Sequence, residues 1–225
     1  MSNFQFTRPQ SFPPIVKNLI IINVLVWIAQ LIYDKKDGLT LALTQKLALF
    51  PIGSPEFKPY QLATHMFAHQ SYVVSLSHPD GKIFILHIVF NMFSLFMFGR
   101  ILENVWGPKR FLLFYLACGL GAAVAHLAMQ YFMGTFSAAV GASGAVMGVF
   151  VAFGYLFPNT ELYVMLIPIP IKAKWAVLGF VALDLFGGFG SFAGDNIAHF
   201  AHLGGALTGF LLVLYWNKTN RRTLY

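Results

Sequence analysis

The sequence predicts an all-α integral membrane protein, a bundle of six membrane-spanning helices with a long, partly helical first loop. Three observations predict it. The chain of 225 residues is 57% hydrophobic and only 10% charged, whereas a typical soluble domain is about 25% charged. Its charges leave wide gaps, the longest from Phe111 to Thr160, which is room for two spans of about 20 residues. Apolar runs of helical length recur six times, at about residues 18–33, 83–99, 111–132, 141–157, 171–187 and 197–216. No internal repeat or linker interrupts the pattern, so residues 1–225 read as a single membrane domain.

The first run begins after Pro14, and no small-residue cleavage site follows it. It is expected to stay as a span, not to be removed as a secretory signal. The loop after it is about 50 residues long, and Leu41–Pro51 and Gln61–Phe67 mix apolar and polar residues in the manner of partial helices lying at the membrane surface. The second and third runs are separated by Arg100, Lys109 and Arg110. The fourth is rich in Gly and Ala; Pro158, Pro168 and Pro170 bound the connection to the fifth, where helices must stop. The fifth carries Asp184, the sole acid in a predicted span, which is expected to reach the outer interface or bond a neighbouring loop. The glycine-rich stretch Gly187–Gly194 reads equally as a flexible cap or an ordinary connector.

Short-loop charges set the orientation. Arg8 and Lys17, then Arg100, Lys109 and Arg110, then Lys172 and Lys174, then Lys218, Arg221 and Arg222 fall on one side if both termini are cytoplasmic. The opposite loops after the third and fifth spans hold no Lys or Arg. The net charge of +7 is thus topological, and nucleic acid is not an expected partner. The single cysteine, Cys118, excludes an internal disulfide.

With this orientation spans two, four and six all start at the outer face. His87, Ser143 and His202 come roughly five, three and six residues into them, within about 5–10 Å of the same boundary at 1.5 Å per residue. Polar groups at such depth usually face the bundle interior and mark function. Gly141, Gly144 and Gly148 surround Ser143, and Gly205 and Gly209 follow His202, so two small-residue faces can bring helix backbones together. A serine hydroxyl becomes a nucleophile when a base within about 2.6–3.2 Å takes its proton, which neutral imidazole can do. The attack creates an oxyanion, for which the Ser143 backbone N–H, His87 and Asn91 are the candidate donors.

The run Gly141-Ala142-Ser143-Gly144, the run Ala201-His202-Leu203-Gly204-Gly205, and His87 with Asn91 one turn on resemble the rhomboid intramembrane serine proteases. The resemblance covers about residues 60–216 and includes Glu103-Asn104-Val105-Trp106-Gly107. It implies a Ser–His dyad without a catalytic acid: Ser143 as nucleophile, His202 as general base and acid, His87 and Asn91 as oxyanion donors. The spacing agrees that no acid is placed to orient His202, since Asp195 lies in the preceding loop and Asp184 near the end of span five. It further implies single-span transmembrane proteins as substrates, approaching sideways past span five, and membrane lipid as the other partner. Two departures concern Met147, which stands where some relatives carry an aromatic residue, and the first loop, which lacks a Trp-Arg pair.

The remaining histidines have ordinary readings. His65 with His69, and His199 with His202, form pairs at helical spacing, but no convincing carboxylate accompanies them, and neither a metal nor a cofactor is expected. His65 and His69 are expected to hydrogen-bond within the first loop, His126 to pack near the end of span three, and His78 to be solvated. The function expected is an intramembrane serine endopeptidase in a bacterial-type plasma membrane with both termini cytoplasmic. The alternatives are a catalytically inactive client-binding relative and, third, a transporter or channel, which the lack of an inverted repeat and the scarcity of acids for cation coupling disfavour.

Overall fold

The computed structural model describes residues 9–34, 41–75, 78–134, 136–163, 169–189 and 199–219. Helix α1 (Pro14–Tyr33) opens the bundle, followed in the first loop by short helices α2 (Ala42–Leu47) and α3 (Gln61–Thr64). Next comes a hairpin of strands β1 (Tyr72–Ser75) and β2 (His78–Ile83), antiparallel with Tyr72 opposite Ile83. The partial helices fall where the polar and apolar mixture put them. The hairpin was not legible, because its strands carry no clear alternation.

Helices α4 (Leu86–Ser94) and α5 (Arg100–Trp106) are two parts of one rod, joined by a π-helical turn at Leu95–Gly99. The rod runs past Arg100, where charge had suggested its end. It stops at Gly107, whose φ of +80° reverses the chain without a β-carbon penalty. Then follow α6 (Pro108–Met133), α7 (Ser143–Leu156), a small hairpin of β3 (Glu161–Tyr163) and β4 (Pro170–Lys172), α8 (Ala173–Phe189) and α9 (His199–Thr219). The predicted runs correspond to α1, the α4–α5 rod, α6, α7, α8 and α9. Among the described residues four of these, at 14–33, 86–106, 108–133 and 199–219, are long and apolar enough to cross a membrane. The other two have 14 and 17 residues, short of the roughly 20 that a bilayer core requires.

Large apolar side chains cover the outside of the bundle, among them Leu25, Leu113, Val124, Leu183 and Leu207. A helix that is apolar on its outer face as well as its inner one is built for lipid. Inside, Val16, Leu95, Leu102, Phe111, Phe114, Tyr115 and Val149 form the main core. Several buried polar groups tie the helices together. Glu103 accepts the backbone N–H groups of Ile15 and Val16 at 2.9 and 2.8 Å, capping the start of α1 from α5. At the same end Trp106, Phe114 and Trp216 stack, and the Arg110 guanidinium sits 4.2 Å over the Trp216 ring.

The centre of the bundle is made of α6, α7 and α9, pressed together through glycines. A β-carbon at Gly205 would collide with the Gly144 carbonyl oxygen, one at Gly209 would lie 2.7 Å from the Gly148 Cα, and one at Gly148 would strike the Cys118 sulfur. Small residues let backbones approach this closely, and the approach carries the side chains of neighbouring helices into reach.

Candidate active site

Ser143 is the first residue of α7, and not the third as the apolar run suggested. The helix starts late because the segment before it is held open by the first loop. Leu49 and Ala139 exchange backbone hydrogen bonds at 2.9 and 3.0 Å. Gly141 N–H donates to the His65 carbonyl at 2.9 Å, and Ala142 N–H donates to His69 Nε2 at 3.5 Å. Gly141 has φ of +131°, and a β-carbon there would press on His87 Nε2 at 2.9 Å and reach within 3.5 Å of Ser143 Oγ. The first bond within α7 runs from Val146 N–H to the Ala142 carbonyl. The N–H groups of residues 143–145 therefore have no partner inside the helix and stand at its positive end.

Ser143 Oγ lies 2.8 Å from Nε2 of His202, which is the fourth residue of α9. The Nδ1 atom of the same ring lies 2.9 Å from Oδ1 of Asp184 on α8. A carboxylate oxygen accepts, so Nδ1 carries the proton and Nε2 presents a lone pair to the serine hydroxyl. The expectation that Asp184 turns to the interface or a loop is corrected: it is buried, at 7% exposure, and bonds the histidine beside Ser143. The expectation that no acid orients His202 is corrected with it. Eighteen residues separate the two in sequence, and only the packing of α8 along α9 makes them neighbours. His199 shares the acid, with Nδ1 also 2.9 Å from Oδ1.

Across Ser143, His87 faces the site in the opposite protonation sense. Its Nδ1 accepts the Gln70 backbone N–H at 3.2 Å, so its proton is on Nε2, the atom that abuts Gly141. Asn91 is buried one turn along α4 and donates one amide hydrogen to the His87 carbonyl at 2.9 Å; a carboxamide has a second to give. His65 lines a small concavity beside the serine with Met66, Gly119, Ala139 and Ala201.

Sequence reasoning missed what holds His69. Its ring is fully buried and sits edge-on to His87, with centroids 5.1 Å apart. Gln30 of α1 accepts the His69 N–H at 3.0 Å and donates to its carbonyl at 2.8 Å. Gln30 also donates to Thr44, which with Ser71 bonds the buried Asp34. Burial lowers the pKa of His65 to about 4 and of His69 to about 3, each favouring neutral imidazole. His126 is buried with Nε2 3.3 Å from the Ser137 carbonyl. Met147 packs with Phe150, Val151, Ala176 and Ala206. Gly187 and Gly188 lie within α8, and a β-carbon at Gly187 would strike the His199 ring; residues 190–194 of that glycine stretch and Asp195 lie outside the described residues, as do Arg8, Arg221 and Arg222, and so does the side chain of His78. Among the described residues no cluster of three metal-ligating side chains occurs.

Comparison with known sequences identifies the family. Residues 56–218 match the rhomboid domain. The chain belongs to the rhomboid family. Rhomboid protein 1, mitochondrial, of Saccharomyces cerevisiae is 30% identical over 70% of this chain and 46% of its own length. Presenilin-associated rhomboid-like protein A, mitochondrial, of Danio rerio is 33% identical over 60% of this chain and 35% of its own. Rhomboid protease GluP of Bacillus subtilis is 33% identical over 56% of this chain and 22% of its own. The chain thus spans less than half the length of these relatives.

Proposed function

We propose that this rhomboid is an intramembrane serine endopeptidase that cleaves transmembrane protein substrates. The observation that carries the reading is the 2.8 Å contact between Ser143 Oγ and His202 Nε2. Ser143 Oγ attacks the scissile carbonyl carbon as Nε2 takes its proton. The oxyanion is met by the Ser143 backbone N–H and by His87 Nε2–H, with Asn91 as the third donor. When the C–N bond breaks, His202 returns that proton to the departing amine. Water, deprotonated by the same Nε2, then splits the acyl ester and restores the Ser143 hydroxyl.

The late start of α7 supports this chemistry. Non-helical backbone at membrane depth is tolerated where it is buried in protein or lines a cavity, and here it leaves N–H groups free at the nucleophile. We further propose one membrane domain of six spans, α7 and α8 completing the count, with both termini on the cytoplasmic side of a bacterial-type plasma membrane. Its substrates would be single-span membrane proteins and its surroundings lipid, with no metal, cofactor or nucleic acid involved. Purified protein in lipid vesicles is expected to cut a single-span test substrate, and Ser143→Ala to abolish the cut with the fold intact. Cleavage that survives in Ser143→Ala overturns the reading. A folded wild type that binds the substrate and never cuts it points to a client-binding role.

A further inference from the structure

We propose that Asp184 is a positioning residue for the reaction, fixing the His202 tautomer and steadying the imidazolium that forms when Ser143 attacks. This rests on the serine-peptidase reading above. Two hydrogen bonds join three helices into one line, from Asp184 Oδ1 on α8 to His202 Nδ1, and from His202 Nε2 on α9 to Ser143 Oγ on α7. An imidazole in this position has two neutral tautomers. Only the one with its proton on Nδ1 can accept the serine proton, and a carboxylate oxygen at 2.9 Å selects it. When Nε2 takes that proton the ring becomes a cation, and a buried carboxylate against its other face offsets the charge where little water screens it.

A structural tie between α8 and α9 would need a hydrogen bond, but not this one. His199, one turn before His202, already supplies a tie to the same oxygen at 2.9 Å. Gly187, one turn after Asp184, leaves the space that the His199 ring fills. With His199 holding Oδ1 from one side, the carboxylate stays aimed at His202 whether that ring is neutral or charged. Asp184 accepts both bonds through Oδ1, so its aim is set before the reaction begins.

The test uses full-length protein in lipid vesicles with a single-span test substrate. Asp184→Asn is expected to lower kcat by roughly 10²- to 10⁴-fold, because an amide hydrogen turned to Nδ1 selects the wrong tautomer; KM should change less than threefold. Asp184→Ala is expected to lower kcat as well, again with KM changed less than threefold, since nothing then selects the His202 tautomer. Asp184→Glu should recover at least tenfold over Asp184→Asn. Unchanged kcat in folded Asp184→Asn and Asp184→Ala overturns the proposal. Should those variants fail to fold, nitrogen-15 NMR of the wild-type His202 ring decides it, with the signal assigned by its loss in His202→Ala. Protonated Nδ1 with bare Nε2 supports the proposal, and the reverse tautomer overturns it. The ring measurement does not depend on cleavage, whereas cleavage surviving in Ser143→Ala would overturn the peptidase reading, and the role in it, while leaving the His202 tautomer as measured.

Discussion

Two histidines flank Ser143 within one site, and their partners give them opposite tautomers. His202 has a carboxylate oxygen on Nδ1, a group that only accepts, and so turns a lone pair to the serine. His87 has a backbone N–H on Nδ1, a group that only donates, and so turns a proton to the same space. The first arrangement can take a proton, and the second can donate one to a negative charge. The residue type is the same, and what differs is a single hydrogen bond at the far side of each ring. A histidine's chemistry is therefore read from its second neighbour as much as from its first.

The largest separation between the two sides should come from deleting each ring. His202→Ala is expected to lower kcat by at least about 10⁴-fold, as loss of a general base does in serine hydrolases. His87→Ala is expected to cost about 10²- to 10³-fold, the usual effect of one oxyanion donor, with KM nearly unchanged. Single-turnover kinetics on the reconstituted protein compare them directly, and equal losses would break the division of roles.

Acid should weaken the His87 side, where His65 and His69 are held neutral. Their folded pKa values of about 4 and about 3 lie below the unfolded 6.5, so the unfolded chain binds more protons. The stability they contribute is complete above pH 6.5 and is lost as pH falls from there towards 4 and 3, by about 1.4 kcal/mol per pH unit for each. Unfolding midpoints measured in detergent between pH 7 and 4.5 should fall accordingly, and should fall less in His65→Gln.

Gly205→Ala probes what brings the His202 side to the serine. Its β-carbon would collide with the Gly144 carbonyl, so about 1–3 kcal/mol of stability should go and activity with it, read by thermal unfolding alongside cleavage. The smallest effect expected is that of His69→Leu, which removes the acceptor for the Ala142 N–H. An unmet buried N–H costs about 1–3 kcal/mol, and kcat should drop roughly tenfold, read by cleavage in lipid vesicles. A loss as large as that of His202→Ala would mean that the two sides are not independent.

By itself the sequence determined the membrane class, the six helical segments, and Ser143, His202 and His87 as candidates for one site. All of these follow from quantities local to the chain: uncharged length, loop charge, and the glycines that let helices touch. It determined the wrong fate for Asp184. Whether a side chain near a helix end turns to water, lipid or a neighbour depends on the rotation of that helix against the next, which an apolar stretch such as α8 does not encode in its pattern. The same holds for the late start of α7, because an apolar run does not record that the backbone of residues 139–142 finds its hydrogen bonds in the first loop instead of in its own helix. Tertiary structure alone decided those partners, and with them which nitrogen of each histidine carries the proton.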